Sequence, residues 1–328
     1  MNLESELSIA RSAVEKACQL CAAAQKGLVP QEKHDKADKS PVTVADYGAQ
    51  AVIFDAIFKQ FPNDKAVGEE DSGDLNKPEN KALLQKIVEY VVSVTPDLDE
   101  SKILSIIDRG NYEGGTAERF WTLDPIDGTK GFLRGEQYAV ALALIENGEV
   151  ILGVLGCPNL PVNPENPDGE KGCIQYAIKG KGAFQYALSS PSNVTNISTD
   201  DVADPALASF CESVESGHTS HDRSSVITKQ LGTTATPVRI DSQCKYAAVA
   251  RGQASIYLRL PTRPGYQEKI WDHAAGHIIL QEAGGKISDT NGAPLDFSQG
   301  RTLCNNLGVV ATSAKVHDAT IKAVIASA

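Results

Sequence analysis

The 328-residue sequence has no stretch approaching the roughly 18 consecutive apolar residues of a membrane span. Its first 25 residues mix charged with apolar positions, so they contain neither a signal-peptide core nor an arginine-rich transit peptide, and the expected location is the cytosol. Basic residues are not in excess. Against 42 acidic residues stand 31 basic ones, and a net charge of -11 repels a polynucleotide backbone, which argues against a nucleic-acid polymer as partner. No second cysteine pair completes Cys18-x-x-Cys21 as a zinc site. The seven cysteines (Cys18, Cys21, Cys157, Cys173, Cys211, Cys244 and Cys304) are odd in number and scattered, and they read as reduced thiols. There is no internal repeat, and 41% hydrophobic with 22% charged residues excludes disorder and fibrous architecture.

What is present is a soluble enzyme-sized chain with two textures. Leu3, Leu7, Ala10, Val14, Ala17 and Cys21 recur at helical spacing before Gly27, and Ala45, Ala49, Val52, Ile53, Ala56 and Ile57 mark a second helix ending near Phe61-Pro62. The polar run Gln31–Ser40 between them reads as a mobile loop. Ala66-Val67-Gly68 reads as a strand end and 79–94 as a helix. The apolar runs Phe120–Leu123, Tyr138–Ile145, Val150–Gly156 and Cys173–Ile178, punctuated by Asn147-Gly148 and Lys181-Gly182, predict an antiparallel sheet. The stretch Ser189–Asp204 reads as an irregular linker. Beyond it, short strands alternate with helical stretches, so the second half looks α/β. The division expected is 1–190 for an α+β part and 191–328 for a smaller α/β part.

The segment Asp124-Pro125-Ile126-Asp127-Gly128-Thr129 follows an apolar strand-like run. Two carboxylates flanking a backbone carbonyl suit a hard cation such as magnesium, which takes oxygen ligands and retains waters. Gly128 lets the backbone approach an anion, and Thr129 adds a hydroxyl. Taken alone, the hexapeptide is equally a polar turn. Gly68-Glu69-Glu70-Asp71 supplies a second acidic cluster after a strand, and Trp271-Asp272 a carboxylate where a helix begins, although an Asp there is commonly only a cap. Together the three look like one site.

Val42-Thr43-Val44-Ala45-Asp46, Gly68-Glu69-Glu70-Asp71, Trp121-Thr122-Leu123-Asp124-Pro125-Ile126-Asp127-Gly128-Thr129 and Trp271-Asp272-His273-Ala274-Ala275-Gly276 resemble, in that order, the signature of the inositol monophosphatase-like phosphatases. The resemblance implies a layered αβαβα sandwich and two or three Mg2+ ions held by Glu69, Asp124, the Ile126 carbonyl, Asp127 and Asp272. It also implies water activation by Asp46 and Thr129. Glu70 either supports these ligands or is a solvated loop acid.

Within that family, Gly217-His218-Thr219-Ser220-His221-Asp222, Asp241-Ser242-Gln243-Cys244-Lys245-Tyr246, Tyr257-Leu258-Arg259-Leu260-Pro261 and the run Tyr266–Asp272 resemble the branch that hydrolyses 3'(2'),5'-bisphosphate nucleotides in fungi and plants. That likeness implies contacts from His218, Ser242, Lys245 and Arg259, with Thr129 and Asp272, to adenosine 3',5'-bisphosphate, whose 3'-phosphate is removed to leave AMP. It further implies action on 3'-phosphoadenosine 5'-phosphosulfate, inhibition by lithium and a monomeric state. Lone Lys and Arg residues are mostly surface charges, and His218 in a Ser/Thr-rich stretch also fits a turn. Arg263, at the mouth of the expected pocket, is a competitor of Arg259 for the same phosphate. An inositol monophosphatase or inositol polyphosphate 1-phosphatase is the rival enzyme, and a silent phosphonucleotide-binding protein is the rival of another class.

Overall fold

The computed structural model describes residues 2–27, 44–214, 221–263 and 265–327. The run Gln31–Ser40, Val42-Thr43 and His218 lie outside the described residues. Helix α1 (Glu4–Gly27) buries Leu7, Ala10, Val14, Ala17 and Cys21, the stripe whose spacing predicts it. Helix α2 (Val44–Gln60) is apolar nearly all round and buries Asp46 and Gln50 along with Ala49, Val52 and Ile53. It ends before Phe61-Pro62, as the restricted backbone ahead of a proline requires. Both helices, with α3 (Lys81–Val94) and α4 (Glu100–Asp108), belong to one hydrophobic core.

That core covers one face of a seven-stranded sheet whose strands lie side by side in chain order: β1 (Lys65–Gly68), β2 (Phe120–Asp127), β3 (Ala139–Glu146), β4 (Glu149–Pro161), β5 (Lys171–Ile178), β6 (Ala183–Ala187) and β7 (Thr195–Ile197). Strands β1 and β2 run parallel and the remaining neighbours are antiparallel. Asn147 and Gly148 turn the β3–β4 hairpin with φ of 54° and 77°, the left-handed pair that a two-residue hairpin loop needs. Strand β7 departs from the expected linker. Thr195–Ile197 pairs with β6 as an edge strand, although its polar composition carries no strand pattern.

A second sheet orders β11 (Gly285–Ser288), β12 (Val309–Ser313), β10 (Ile256–Arg259), β8 (Phe210–Glu212) and β9 (Val238–Arg239). Helices α7 (Cys244–Ala250) and α8 (Ala274–Glu282) are sandwiched between the sheets. Helix α8 packs on β4 and β11, and α7 on β4 and β12. The approach is close, since a Cβ at Gly153 of β4 would stand 2.4 Å from Ile278 and 2.9 Å from the Ala275 carbonyl. Helices α6 (His221–Leu231) and α9 (His317–Ala326) pack together, and α9 covers the outer side of β12. The layers therefore run helix, sheet, helix, sheet, helix, as the family resemblance implies. All seven cysteines are free, six of them buried. Among the described residues no helix is long and apolar enough to cross a membrane.

Candidate active site

The parallel pairing of β1 and β2 decides where the first two carboxylates meet. Parallel strands end on the same edge, and the register Gly68↔Leu123 puts Glu69 beside Asp124, with the Glu69 N–H donating to the Leu123 carbonyl at 3.2 Å. Between Asp124 and Asp127 the β2–β3 ladder slips: Asp124 pairs with Ala141 and Asp127 with Ala139, three steps on one strand against two on the other. In a regular strand residues three apart face opposite sides; the bulge turns both carboxylates to one cleft.

Gly128 then takes φ 89° and Thr129 opens a short helix α5 (Thr129–Arg134), with its hydroxyl donating to the Ile126 carbonyl at 3.3 Å. A Cβ at Gly128 would lie 2.8 Å from that of Ser242, so glycine is required both by the backbone angle and by the approach of the 241–243 turn. Ser242 is itself left-handed, at φ 65°, and its Oγ accepts from the Cys244 N–H at 3.2 Å. This turn is fixed by Asp241, which accepts from Ser213 Oγ and the Val214 N–H at 3.1 Å and pairs with Arg134 of α5.

The cleft encloses about 420 Å³ and is lined by Glu69, Asp124, Ile126, Asp127, Thr129 and Asp272 together with Ser242, Lys245 and Arg259. The structure thus gathers all the expected metal ligands and all but one of the expected substrate contacts, His218 lying outside the described residues. Asp46 does not form part of the cleft wall. It is buried in the first turn of α2, near enough to Glu69 for its charge to act there.

Charge crowding marks the acidic end. Glu69 keeps an exposed face toward the open cleft, yet the protein packed about it strips much of its hydration, and with Asp272, Glu70 and Asp46 nearby its carboxyl lies well above the ordinary range. Asp124, only 2% exposed, is raised well above that range by burial and then by Glu69, Asp127 and Asp272. Burial lifts the Asp272 carboxyl to about 6, Arg259 opposing and Asp127 adding to the rise. Asp124 Oδ1 is buried with no hydrogen-bond partner. An orphaned carboxylate oxygen among mutually repelling acids is costly unless a cation supplies the missing ligand, and an all-oxygen donor set suits Mg2+.

Beside the acids, and meeting them at Asp272, stands the cationic side of the cleft. Lys245, 4% exposed, extends its amine 5.2 Å from the centre of the Tyr257 ring; burial lowers its pKa while the Asp127 charge opposes the fall. Arg259 donates through Nε to Glu268 Oε1 and pairs through its second nitrogen with Oε2, both at 3.2 Å, and stands 3.8 Å from Asp272. The same Glu268 accepts from His273 Nε2 at 3.2 Å, which leaves His273 Nδ1 to accept from the Tyr246 hydroxyl at 2.9 Å. Burial works to raise the Glu268 carboxyl, but the His273 hydrogen bond and the Arg259 charge outweigh it and hold it at about 2. Glu268, Asp272 and His273 bring ligand atoms within 4.8 Å of one another. Their bonds to Arg259 and Tyr246 already engage Glu268 and His273, so these two brace Arg259 and leave Asp272 as the candidate metal ligand of the three.

Several residues with no sequence signal complete the frame. Gln50 of α2 donates to the Glu70 carbonyl at 2.7 Å and accepts from the Glu70 N–H at 3.2 Å, fixing the loop after Glu69. Arg301 donates to the carbonyls of Gly68, Gly110 and Tyr112 at 2.7, 3.2 and 3.0 Å while lying 5.0 Å from the Trp271 ring centre. These are buried and half-buried polar contacts across as many as 233 positions, invisible to spacing.

A five-layer α/β sandwich with an acidic cleft where two parallel strands end defines a class of sugar-phosphatase-like fold. The chain belongs to the inositol monophosphatase family, whose model matches residues 2–327. It is 44% identical to a 3'(2'),5'-bisphosphate nucleotidase of Schizosaccharomyces pombe, over 99% of this chain and 96% of that protein. It is 47% identical to 3'(2'),5'-bisphosphate nucleotidase 1 of Arabidopsis thaliana, over 87% and 85%. Among solved structures, the inositol monophosphatase TM1415 of Thermotoga maritima superposes with a TM-score of 0.64 at 23% identity, over 99% of this chain and 97% of that one. The suhB protein of Bartonella henselae gives 0.65 at 18%, over 98% of each.

Proposed function

We propose that this chain is a magnesium-dependent 3'(2'),5'-bisphosphate nucleotidase that removes the 3'-phosphate of adenosine 3',5'-bisphosphate to give AMP, and that acts in the same way on 3'-phosphoadenosine 5'-phosphosulfate. The observation that carries this reading is that one cleft holds the carboxylates and, bordering them, the cations Lys245 and Arg259, the latter 3.8 Å from Asp272. A monoester phosphatase needs only the carboxylates; a substrate with two phosphates also needs the cations. The two nucleotidases at 44% and 47% identity support the choice.

In this reading Glu69, Asp124, the Ile126 carbonyl, Asp127 and Asp272 hold two or three Mg2+ ions, which, when bound, raise the acidity of a water and neutralise charge on the phosphoryl oxygens. The chain's own groups do the rest. Thr129 accepts the proton of the attacking water and gives its own to Asp46 behind the cleft wall, Ser242 and Lys245 orient the second phosphate, and Arg259 receives it with its guanidinium held at a fixed angle by Glu268.

The test is phosphate release from adenosine 3',5'-bisphosphate, inositol 1,4-bisphosphate and inositol 1-phosphate, each with Mg2+ and with excess chelator. The nucleotide should be turned over most efficiently and only with metal. Preference for an inositol phosphate would replace the substrate assignment, and turnover in chelator would remove the metal from it.

A further inference from the structure

Gln243 lies between two residues proposed to touch substrate, Ser242 and Lys245, yet its own side chain points the other way and is 2% exposed. Its backbone N–H donates to Asp127 Oδ2 at 2.6 Å. Its side-chain amide donates to the Trp271 carbonyl at 2.8 Å and accepts from the Gly276 N–H at 3.1 Å. Trp271 immediately precedes Asp272, and Gly276 lies in the first turn of α8. One residue therefore bonds a carboxylate that ends β2 and the backbone of the turn that carries the carboxylate from the other half of the chain.

Nothing else described spans that gap so directly. Asp127 is fixed by the first sheet, whereas Asp272 sits on a single 3-10 turn, Ile270–Asp272, whose start is bonded to the Arg301 carbonyl at 3.2 Å and whose end runs into α8. A short turn has few internal bonds to hold its angle. The amide of Gln243 uses both its donor and its acceptor on this turn and its continuation, and so sets where Asp272 stands relative to Asp127.

We infer that Gln243 is a positioning residue for the metal site: it holds the Asp272 turn in register with Asp127 and ties both to the turn that presents Ser242 and Lys245. The inference rests on the reading of Asp127 and Asp272 as metal ligands. Partners that orient metal ligands are commonly worth about 10- to 100-fold in metal affinity. Any substitution at 243 except proline keeps the backbone N–H on Asp127, so a side-chain variant acts on the turn that carries Asp272.

The test is Mn2+ binding to the nucleotide-free protein, followed by calorimetry or by the paramagnetic resonance of free Mn2+, in wild type, Gln243→Met, Gln243→Asn and Asp127→Asn. Gln243→Met keeps the length and loses both bonds; Gln243→Asn keeps the chemistry, falls one methylene short and serves where the Met variant does not fold. Mn2+ affinity should fall about 10-fold or more in Gln243→Met and less in Gln243→Asn. In assays, the Mg2+ concentration for half-maximal rate should rise while KM for the nucleotide changes little. A merely structural role would lower the amount of active protein and leave the Mn2+ affinity of the folded fraction at the wild-type value, and that result overturns the inference. Wild-type protein that takes up no Mn2+, or an Asp127→Asn variant that binds as wild type does, overturns the metal reading and the inference with it.

Discussion

The two ends of the cleft are built by different means. Of the acids, Glu69, Asp124 and Asp127 are placed by main-chain geometry, namely the shared edge of β1 and β2, the slip between Asp124 and Asp127, and the left-handed Gly128, while the turn carrying Asp272 is also bonded by the Gln243 side chain. At the cationic end the groups are placed by other side chains, with Arg259 held by Glu268, Glu268 by His273, and His273 by Tyr246. The like charges repel and stay together because the strands and the Gly128 turn hold most of them in place, whereas Lys245 meets an aromatic face and Arg259 a carboxylate. Changes at the acidic end should therefore act on catalysis and metal uptake, and changes at the cationic end on which ester is accepted.

The largest effect expected is from Asp127→Ala, which removes a carboxylate that the fold cannot replace from elsewhere. Phosphate release should fall roughly a thousand-fold or more, several kcal/mol of barrier. Circular dichroism should stay unchanged. Hydrolysis persisting within ten-fold of wild type would show that the acidic end is not where the chemistry occurs.

Next in size, and the sharpest test of the contrast, is Lys245→Ala beside Arg259→Ala. Each should lower kcat/KM on adenosine 3',5'-bisphosphate on the order of 100-fold, the worth of a charge-assisted hydrogen bond at about 2–3 kcal/mol. The rate on inositol 1-phosphate, which has nothing to place there, should change far less. Equal losses on both substrates would mean that the cationic end serves the acidic one and has no specificity of its own.

Arg301→Met should have an intermediate effect confined to the acidic end. Three carbonyls lose a donor, among them that of Gly68, one residue before Glu69. Unfolding free energy should drop by about 1–3 kcal/mol, and the Mg2+ requirement should rise about 10-fold with nucleotide selectivity intact. A change in selectivity without a change in Mg2+ dependence would blur the division between the ends.

The same division governs what the sequence reveals. Part of the acidic site is legible because contiguous residues make it: Asp124, Ile126, Asp127 and Thr129 fall within six positions, and apolar runs before Asp124 and Glu69 announce the strands that deliver them. Helices α1 and α2 were legible from periodicity for the same local reason. Glu268, Gln243, Arg301 and His273 were not, because their roles exist only after the two halves of the chain have packed. Helix α4 was overlooked although it carries a local signal, an Asp99 cap accepting from the Lys102 N–H at 2.9 Å ahead of buried Ile103 and Ile107. Strand β7 has none, since three polar-flanked residues become a strand only through the edge they join.

The smallest effect on turnover, and the most specific for pH, is expected from Glu268→Gln. The Glu268 carboxyl lies at about 2 in the folded protein against an ordinary 4.5, so folding favours its ionised form. Its contribution is complete above about pH 4.5 and drains away as pH falls toward about 2, since the unfolded chain takes up the proton first. A shift of that size corresponds to about 3 kcal/mol at neutral pH. Urea unfolding at pH 7, 5 and 3.5 should show wild type and Glu268→Gln about 3 kcal/mol apart at the first two values and about 2 kcal/mol apart at the third. The variant should still bind Mn2+ normally, because Glu268 serves Arg259 and not the acids. A pH-independent gap between the two proteins would show that the glutamate acts through packing, and that the cationic end is held by shape instead of by its chain of charges.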